Sequence, residues 1–279
     1  MNMIRTLSYL LLTFVFIIMQ CSCKKETPSA ATLDDLPADT GGVHTPFHLG
    51  VTNSPYGYFV YLPSAYKSGE HQYPLLVFLH GSGEKGNSES NPVILEKVLR
   101  NGPPRLIEKR KWDPAYPMIV VSPQCHDGGW NAGKIHDFIQ YISRIYRIDE
   151  NRVYLTGLSM GGFGTFNYLQ TYGDTAGIAA AVPICGGGNP AKASQLLHTP
   201  LWIFHGDADN TVHVAKSIEM FDAIMAQNPA VPPKLTIYNG VGHNSWTRTY
   251  DESGVGTGDE EYDIYDVPVY DWLFQYKRK

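Results

Sequence analysis

The sequence predicts an α/β fold: a mostly parallel central sheet with helices on both faces. Three observations predict it. Short, almost wholly apolar runs recur along the chain, amphipathic helical patterns lie between them, and nearly every run ends in a Gly-, His- or Ser-bearing loop. All-apolar runs fit strands covered on both faces. Alternation of strand and helix favours parallel pairing. In such sheets binding and catalytic groups collect at the carboxyl ends of strands.

The elements follow in order. Tyr58 to Leu62 reads as a strand paired with Phe47 to Val51. Further strands are expected at Leu75 to Leu79, Met118 to Val121, Val153 to Thr156, Ile178 to Ile184, Leu201 to Phe204 and Leu235 to Tyr238. Ile135, Phe138, Ile139, Ile142, Ile145 and Tyr146 recur at helical spacing. Helices are also expected over Met160 to Tyr172, Val214 to Gln227 and Pro268 to Tyr276. Asp251 to Tyr262, acidic and Gly-rich, reads as an insertion before the last helix, either a pocket rim or a disordered loop.

The chain has 279 residues, 43% of them hydrophobic and 18% charged, a balance that excludes wholesale disorder. Its net charge of -5, without a basic stripe, gives nucleic acid nothing to bind. The amino terminus reads as a targeting segment over residues 1–22. Arg5 supplies a positive flank, and Leu7 to Met19 is an apolar stretch too short for a comfortable membrane span. Cys21 and Cys23 follow at once. This pattern resembles a bacterial lipoprotein signal, which implies lipidation at Cys23, with Cys21 the rival, and a membrane partner reached through the N-terminal lipid. Residues 23–45 then read as a flexible tether, and 46–279 as one catalytic domain. Export permits a disulfide, but two free thiols are expected at Cys125 and Cys185.

The run Gly157-Leu158-Ser159-Met160-Gly161 joins a predicted strand directly to a predicted helix. So tight a turn demands small neighbours and thrusts Ser159 outward with a strained backbone. The helix start behind it places partial positive charge beside the hydroxyl. With Phe78-Leu79-His80-Gly81-Ser82-Gly83-Glu84, this segment resembles the α/β-hydrolase superfamily. Within it, the chain resembles esterases grouped with polyhydroxybutyrate depolymerases, feruloyl and acetyl-xylan esterases and phospholipase/carboxylesterases. The resemblance spans roughly Tyr58 to Tyr276.

That resemblance implies a nucleophile, an acid and a histidine in this chain order. It carries the nucleophile onto Ser159, the base onto His243 in a Gly-rich loop, and the acid onto Asp209 of His205-Gly206-Asp207-Ala208-Asp209. Asp207 is the rival acid and could instead cap a turn. The oxyanion hole is expected from the N–H groups of Met160 and Ser82. Trp130, His126 and Trp246 are candidate substrate-binding residues, although the two tryptophans could equally pack the loops. His80 and His205 are expected to pack and hydrogen-bond around their loops.

No His-Glu-x-x-His or paired-Cys pattern occurs beyond the leader, so neither metal nor other cofactor is expected. The expected reaction is hydrolysis of carboxylic esters, among them acetyl, feruloyl or other short acyl esters of carbohydrate. A prolyl-oligopeptidase-like serine peptidase and a non-catalytic binding lipoprotein are the alternatives.

Overall fold

The structure, a computed structural model, describes residues 32–279. The leader 1–22 and the lipidation candidates Cys21 and Cys23 lie outside the described residues. Eight strands form one sheet: β1 (Val43–Phe47), β2 (Gly57–Leu62), β3 (Tyr73–Leu79), β4 (Ile119–Gln124), β5 (Ile148–Leu158), β6 (Ala180–Ile184), β7 (Trp202–Gly206) and β8 (Lys234–Tyr238). Their order is β1-β2-β4-β3-β5-β6-β7-β8. β2 pairs antiparallel with both β1 and β4, and every other pairing is parallel. Six α-helices accompany the sheet: α1 (Gly102–Glu108), α2 (Ala132–Ile145), α3 (Met160–Tyr172), α4 (Ala215–Met225), α5 (Trp246–Tyr250) and α6 (Val269–Phe274).

The two-residue period of a strand divides the core into two layers. On β3, Leu75, Val77 and Leu79 enter one layer, while Leu76 and Phe78 enter the other. The first layer is closed by Ile135, Phe138 and Ile142 of α2, Phe166 and Leu169 of α3, and Met220 and Ile224 of α4. The second is closed by Ile107 of α1, Tyr250 of α5, and Trp272, Leu273 and Phe274 of α6. A fully buried side chain of this size contributes roughly 1.5–3 kcal/mol. The all-apolar character of the central strands therefore follows from burial on both faces.

Three segments take definite places, and the first of them corrects an expectation. The first strand lies at Val43–Phe47, four residues before the expected position, and pairs Val43 with Leu62 and Phe47 with Tyr58. After Phe47 the chain turns, with Val51 N–H donating to His48 O. Pro46 fits this place because β1 is an edge strand, where a missing N–H costs little. Second, residues 32–45 are seated on the domain, although they fall within the expected tether. Asp39 accepts from Tyr61 Oη and Ser64 N–H, and Leu36 packs on the core. Third, the segment 251–262, expected as a pocket rim or a disordered loop, runs along the sheet edge, while Asp251 and Glu252 line a cavity beside α1. Asp259 N–H donates to Ile237 O, and Asp263 N–H donates to Leu235 O. These bonds occupy the outer side of β8, which would otherwise be open to edge pairing.

Candidate active site

The sharpest turn in the site is at Ser159, between β5 and α3. Its φ of 51° and ψ of -117° are costly for a non-glycine residue and persist only where surroundings enforce them. Here the enforcement is backbone contact. Ser159 N–H donates to Ile184 O at 2.9 Å, and Phe163 N–H donates to Ser159 O at 3.0 Å. The flanking glycines have no room to grow. A Cβ on Gly157 would strike the Gly161 carbonyl, and one on Gly161 would strike the Leu79 carbonyl.

His243 lies in the loop after β8 and reaches the elbow with its Nε2 2.9 Å from Ser159 Oγ. Its Nδ1 lies 2.7 Å from Asp209 Oδ2. A carboxylate accepts only, so Nδ1–H donates to Asp209 and the Nε2 lone pair is left to accept the serine proton. Asp209 follows β7. Its Oδ1 accepts N–H bonds from Thr211 and Val212 at 2.8 and 2.9 Å. Burial pushes the Asp209 carboxyl up, but the His243 bond and these two backbone donors outweigh it and hold the group below its usual range. It therefore stays ionised at neutral pH. Asp207 is elsewhere engaged, accepting from Gly240 N–H in a turn.

The relay has a fourth member. The buried His205 ring places Nε2 3.2 Å from Asp209 Oδ2 and 2.8 Å from Val212 O, while Nδ1 lies 2.7 Å from Ser217 Oγ. Burial drives its pKa down, so the ring is neutral. With Nε2–H facing two acceptors, Nδ1 accepts from Ser217. His205 thus shares the Asp209 Oδ2 oxygen with His243 and helps to hold the carboxylate in place. The only sequence sign of this was its place before Gly206 at a strand end.

His80 fixes the loop after β3 in a similar way. Its Nδ1–H donates to Gly81 O at 2.6 Å and its Nε2 accepts Cys125 N–H at 2.9 Å. Burial pushes this imidazole down to about 4, which keeps the accepting nitrogen free of a proton. Ser82 opens the short 3-10 turn Ser82–Glu84 beyond it, and Met160 opens α3. Among the described residues, neither of these two N–H groups has an acceptor.

The aromatic candidates divide. Trp130 is buried, and its indole N–H is spent on His80 O at 2.9 Å. Trp246 stands edge-on to His243 at 5.2 Å, and its N–H donates to Asn101 Oδ1 at 3.1 Å. Both indoles are thus anchored loop-packing residues, although Trp130 also borders a groove beside Met160. His126 packs edge-on to Tyr56 and does not reach that groove. Asn101 was not anticipated. It joins Trp246 to Glu84, donating to Glu84 Oε1 at 2.7 Å, and so ties the His243 loop to the loop of Ser82. Nothing contiguous in the sequence signals a contact between residues 145 positions apart.

Cys125 and Cys185 are buried free thiols. Cys185, Asp209 and His243 bring metal-ligating atoms within 4.8 Å of one another. The Nδ1–Oδ2 contact among them is a hydrogen bond. Burial also pushes the Cys185 thiol up to about 12, away from the thiolate that a metal needs.

A model of the dienelactone hydrolase family matches residues 54–263. The chain belongs to the dienelactone hydrolase family. Relatives of this family member include a bifunctional acetylxylan esterase/xylanase of Neocallimastix patriciarum, 28% identical over 143 residues. That match covers 50% of this chain and 20% of the relative, so the chain spans about a fifth of that relative's length. A thermostable esterase of known structure is similar with a TM-score of 0.60 and 27% identity, over 85% of this chain and 63% of that one. A feruloyl esterase module from Clostridium thermocellum, complexed with sinapinate, gives a TM-score of 0.56 at 18% identity, over 86% and 89% of the two chains. At that identity the likeness speaks for the α/β-hydrolase fold alone.

Proposed function

We propose that the protein is a serine esterase that hydrolyses short acyl esters of carbohydrate. The observation that carries this reading is the unbroken relay Asp209–His243–Ser159, with bonds of 2.7 and 2.9 Å, ending on a strained elbow. A serine hydroxyl is a weak nucleophile until a base takes its proton. His243 Nε2 lies where that transfer needs it. As the proton moves, Ser159 Oγ bonds to the ester carbonyl carbon, and the carbonyl oxygen becomes an oxyanion. The unpaired N–H groups of Met160 and Ser82 are its assigned donors. The intermediate collapses, the alcohol leaves with the proton from His243, and an acyl-serine remains. Water, deprotonated by the same imidazole, then releases the acid. Asp209 keeps the imidazole in the productive tautomer and stabilises the imidazolium.

The acyl and alcohol parts of the substrate follow from similarity. The related acetylxylan esterase/xylanase supports an acetyl ester on a plant polysaccharide. The test is a panel of acetylated xylan, methyl ferulate, p-nitrophenyl acetate and a peptidyl anilide. Turnover of acetylated xylan and p-nitrophenyl acetate is expected. Anilide cleavage without ester hydrolysis would contradict the reading. On the leader sequence we extend the proposal to an exported chain, lipid-anchored at Cys23 in the bacterial cell envelope. Palmitate incorporation that is lost in Cys23→Ser checks this extension.

A further inference from the structure

The residues of α3 recur on the nucleophile's face at helical spacing. Ser159, Phe163, Asn167 and Gln170 stand at i, i+4, i+8 and i+11. The rise of an α-helix puts Asn167 about 12 Å along the axis from Ser159. A groove of about 490 Å³ runs along this face. Met160 and Trp130 border it near the nucleophile, Gly187 and Gly188 line it, and Lys192 lies farther along.

Its chemistry is specific. Phe163 is the only Phe, Tyr or Trp among the described residues that is exposed, at 37%. The ring rests against Gly187, where even a Cβ would sit 3.1 Å from Phe163 Cε1. It is therefore a ring braced at Gly187 and partly open to solvent. Asn167 is exposed, and its amide has no partner among the described residues. Gln170 is already used, donating to Asn189 O at 2.7 Å and accepting Asn189 N–H at 3.0 Å, which fixes the far wall. No carboxylate lines the groove, although the chain carries 27 acidic residues, and Lys192 is its only charged group.

A partly exposed aromatic ring, a free amide and an ammonium on a glycine floor match a sugar. Pyranose C–H faces lie on aromatic rings, and hydroxyls take hydrogen bonds from amides and ammonium groups. A long acyl chain would gain little here, because beyond Trp130, Met160 and Phe163 the groove offers only glycines, amides and an ammonium. We propose that this groove holds the carbohydrate alcohol of the ester, with Phe163 stacked on the sugar that carries the scissile bond and Asn167 bonded to the next ring. The proposal rests on the esterase reading above and adds where the glycan runs.

The test compares acetylated xylo-oligosaccharides with p-nitrophenyl acetate. Phe163→Ala is expected to raise KM for the oligosaccharide about tenfold or more, with kcat held within about threefold, which corresponds to about 1.4 kcal/mol of binding per factor of ten. The effect on kcat/KM for p-nitrophenyl acetate, whose alcohol is no glycan, is expected to be much smaller. Phe163→Trp keeps a platform and should restore the oligosaccharide KM. Equal losses on both substrates, or an unchanged oligosaccharide KM in a folded Phe163→Ala protein, would overturn the proposal. Wild-type turnover of p-nitrophenyl acetate without any of the oligosaccharide would overturn the groove and the carbohydrate substrate, and would leave the serine-esterase reading standing. Turnover of neither would overturn the esterase reading and the groove together.

Discussion

The elbow that presents Ser159 and the arm that carries Asp209 and His243 are built on opposite principles. The elbow is held by backbone. Two main-chain hydrogen bonds fix Ser159, and glycines on either side touch carbonyls of neighbouring elements. The arm is held by side chains. Asp209 accepts from His243, from two backbone N–H groups and from His205, and His205 is itself fixed by Ser217. Damage to the elbow should therefore fall on folding. Damage to the arm should fall on the rate, because its loops are tethered independently of the relay.

The largest test of that contrast is Asp209→Asn. The amide retains an oxygen for Thr211 and Val212 but presents an N–H to His243, which favours the wrong tautomer. A fall in kcat of about 10⁴ is expected, equal to roughly 5.5 kcal/mol in barrier, with a urea midpoint near that of the wild type. Unfolding of this variant would erase the distinction between arm and elbow. Next comes Gly161→Ala. Its methyl group would meet the backbone carbonyls of Leu79 and His80, neither of which can swing aside, so a stability loss of about 3 kcal/mol or more is expected. Urea denaturation reads it, and a wild-type midpoint would show that the elbow yields.

The smallest effect concerns Glu252, in the segment after α5, whose side chain accepts from Tyr270 N–H and bonds to neither region. Burial raises its pKa from 4.5 to about 7. Between those values the folded state holds a proton that the unfolded state has released, so stability falls as pH rises through that window. Glu252→Gln removes the titration while keeping an acceptor for Tyr270 N–H. Its melting temperature should gain on the wild type at pH 8 more than at pH 5, while kcat stays level at both. An equal gain at the two pH values would remove titration as the cause.

The same contrast explains what could be read in the sequence. The elbow is legible because its pattern is local: strand, Gly, Ser, Gly and helix are adjacent in the chain, even though the carbonyl that Gly161 must clear belongs to Leu79 on β3. Asp209 and His243 are legible because the α/β-hydrolase resemblance places them after given strands. The parallel sheet was legible from its apolar runs. Asn101 and Glu84 were not, because their bonds to each other and to Trp246 join distant segments, and an Asn or Glu in a loop has many ordinary uses. Trp130 and Trp246 were read for their rings, whereas the fold also engages their N–H groups. The first strand was misplaced because Phe47 and Val51 look as strand-like as Val43 and Thr45. Only the pairing partner on β2 decides between the two registers.

The proposed chemistry requires His243 to make Ser159 the nucleophile. The most direct measurement is reaction with a fluorophosphonate followed by mass mapping of the adduct. A single adduct on Ser159 is expected, lost in Ser159→Ala and formed far more slowly in His243→Ala. Labelling that persists in Ser159→Ala, or a wild-type protein that hydrolyses esters yet takes no label at Ser159, would contradict it.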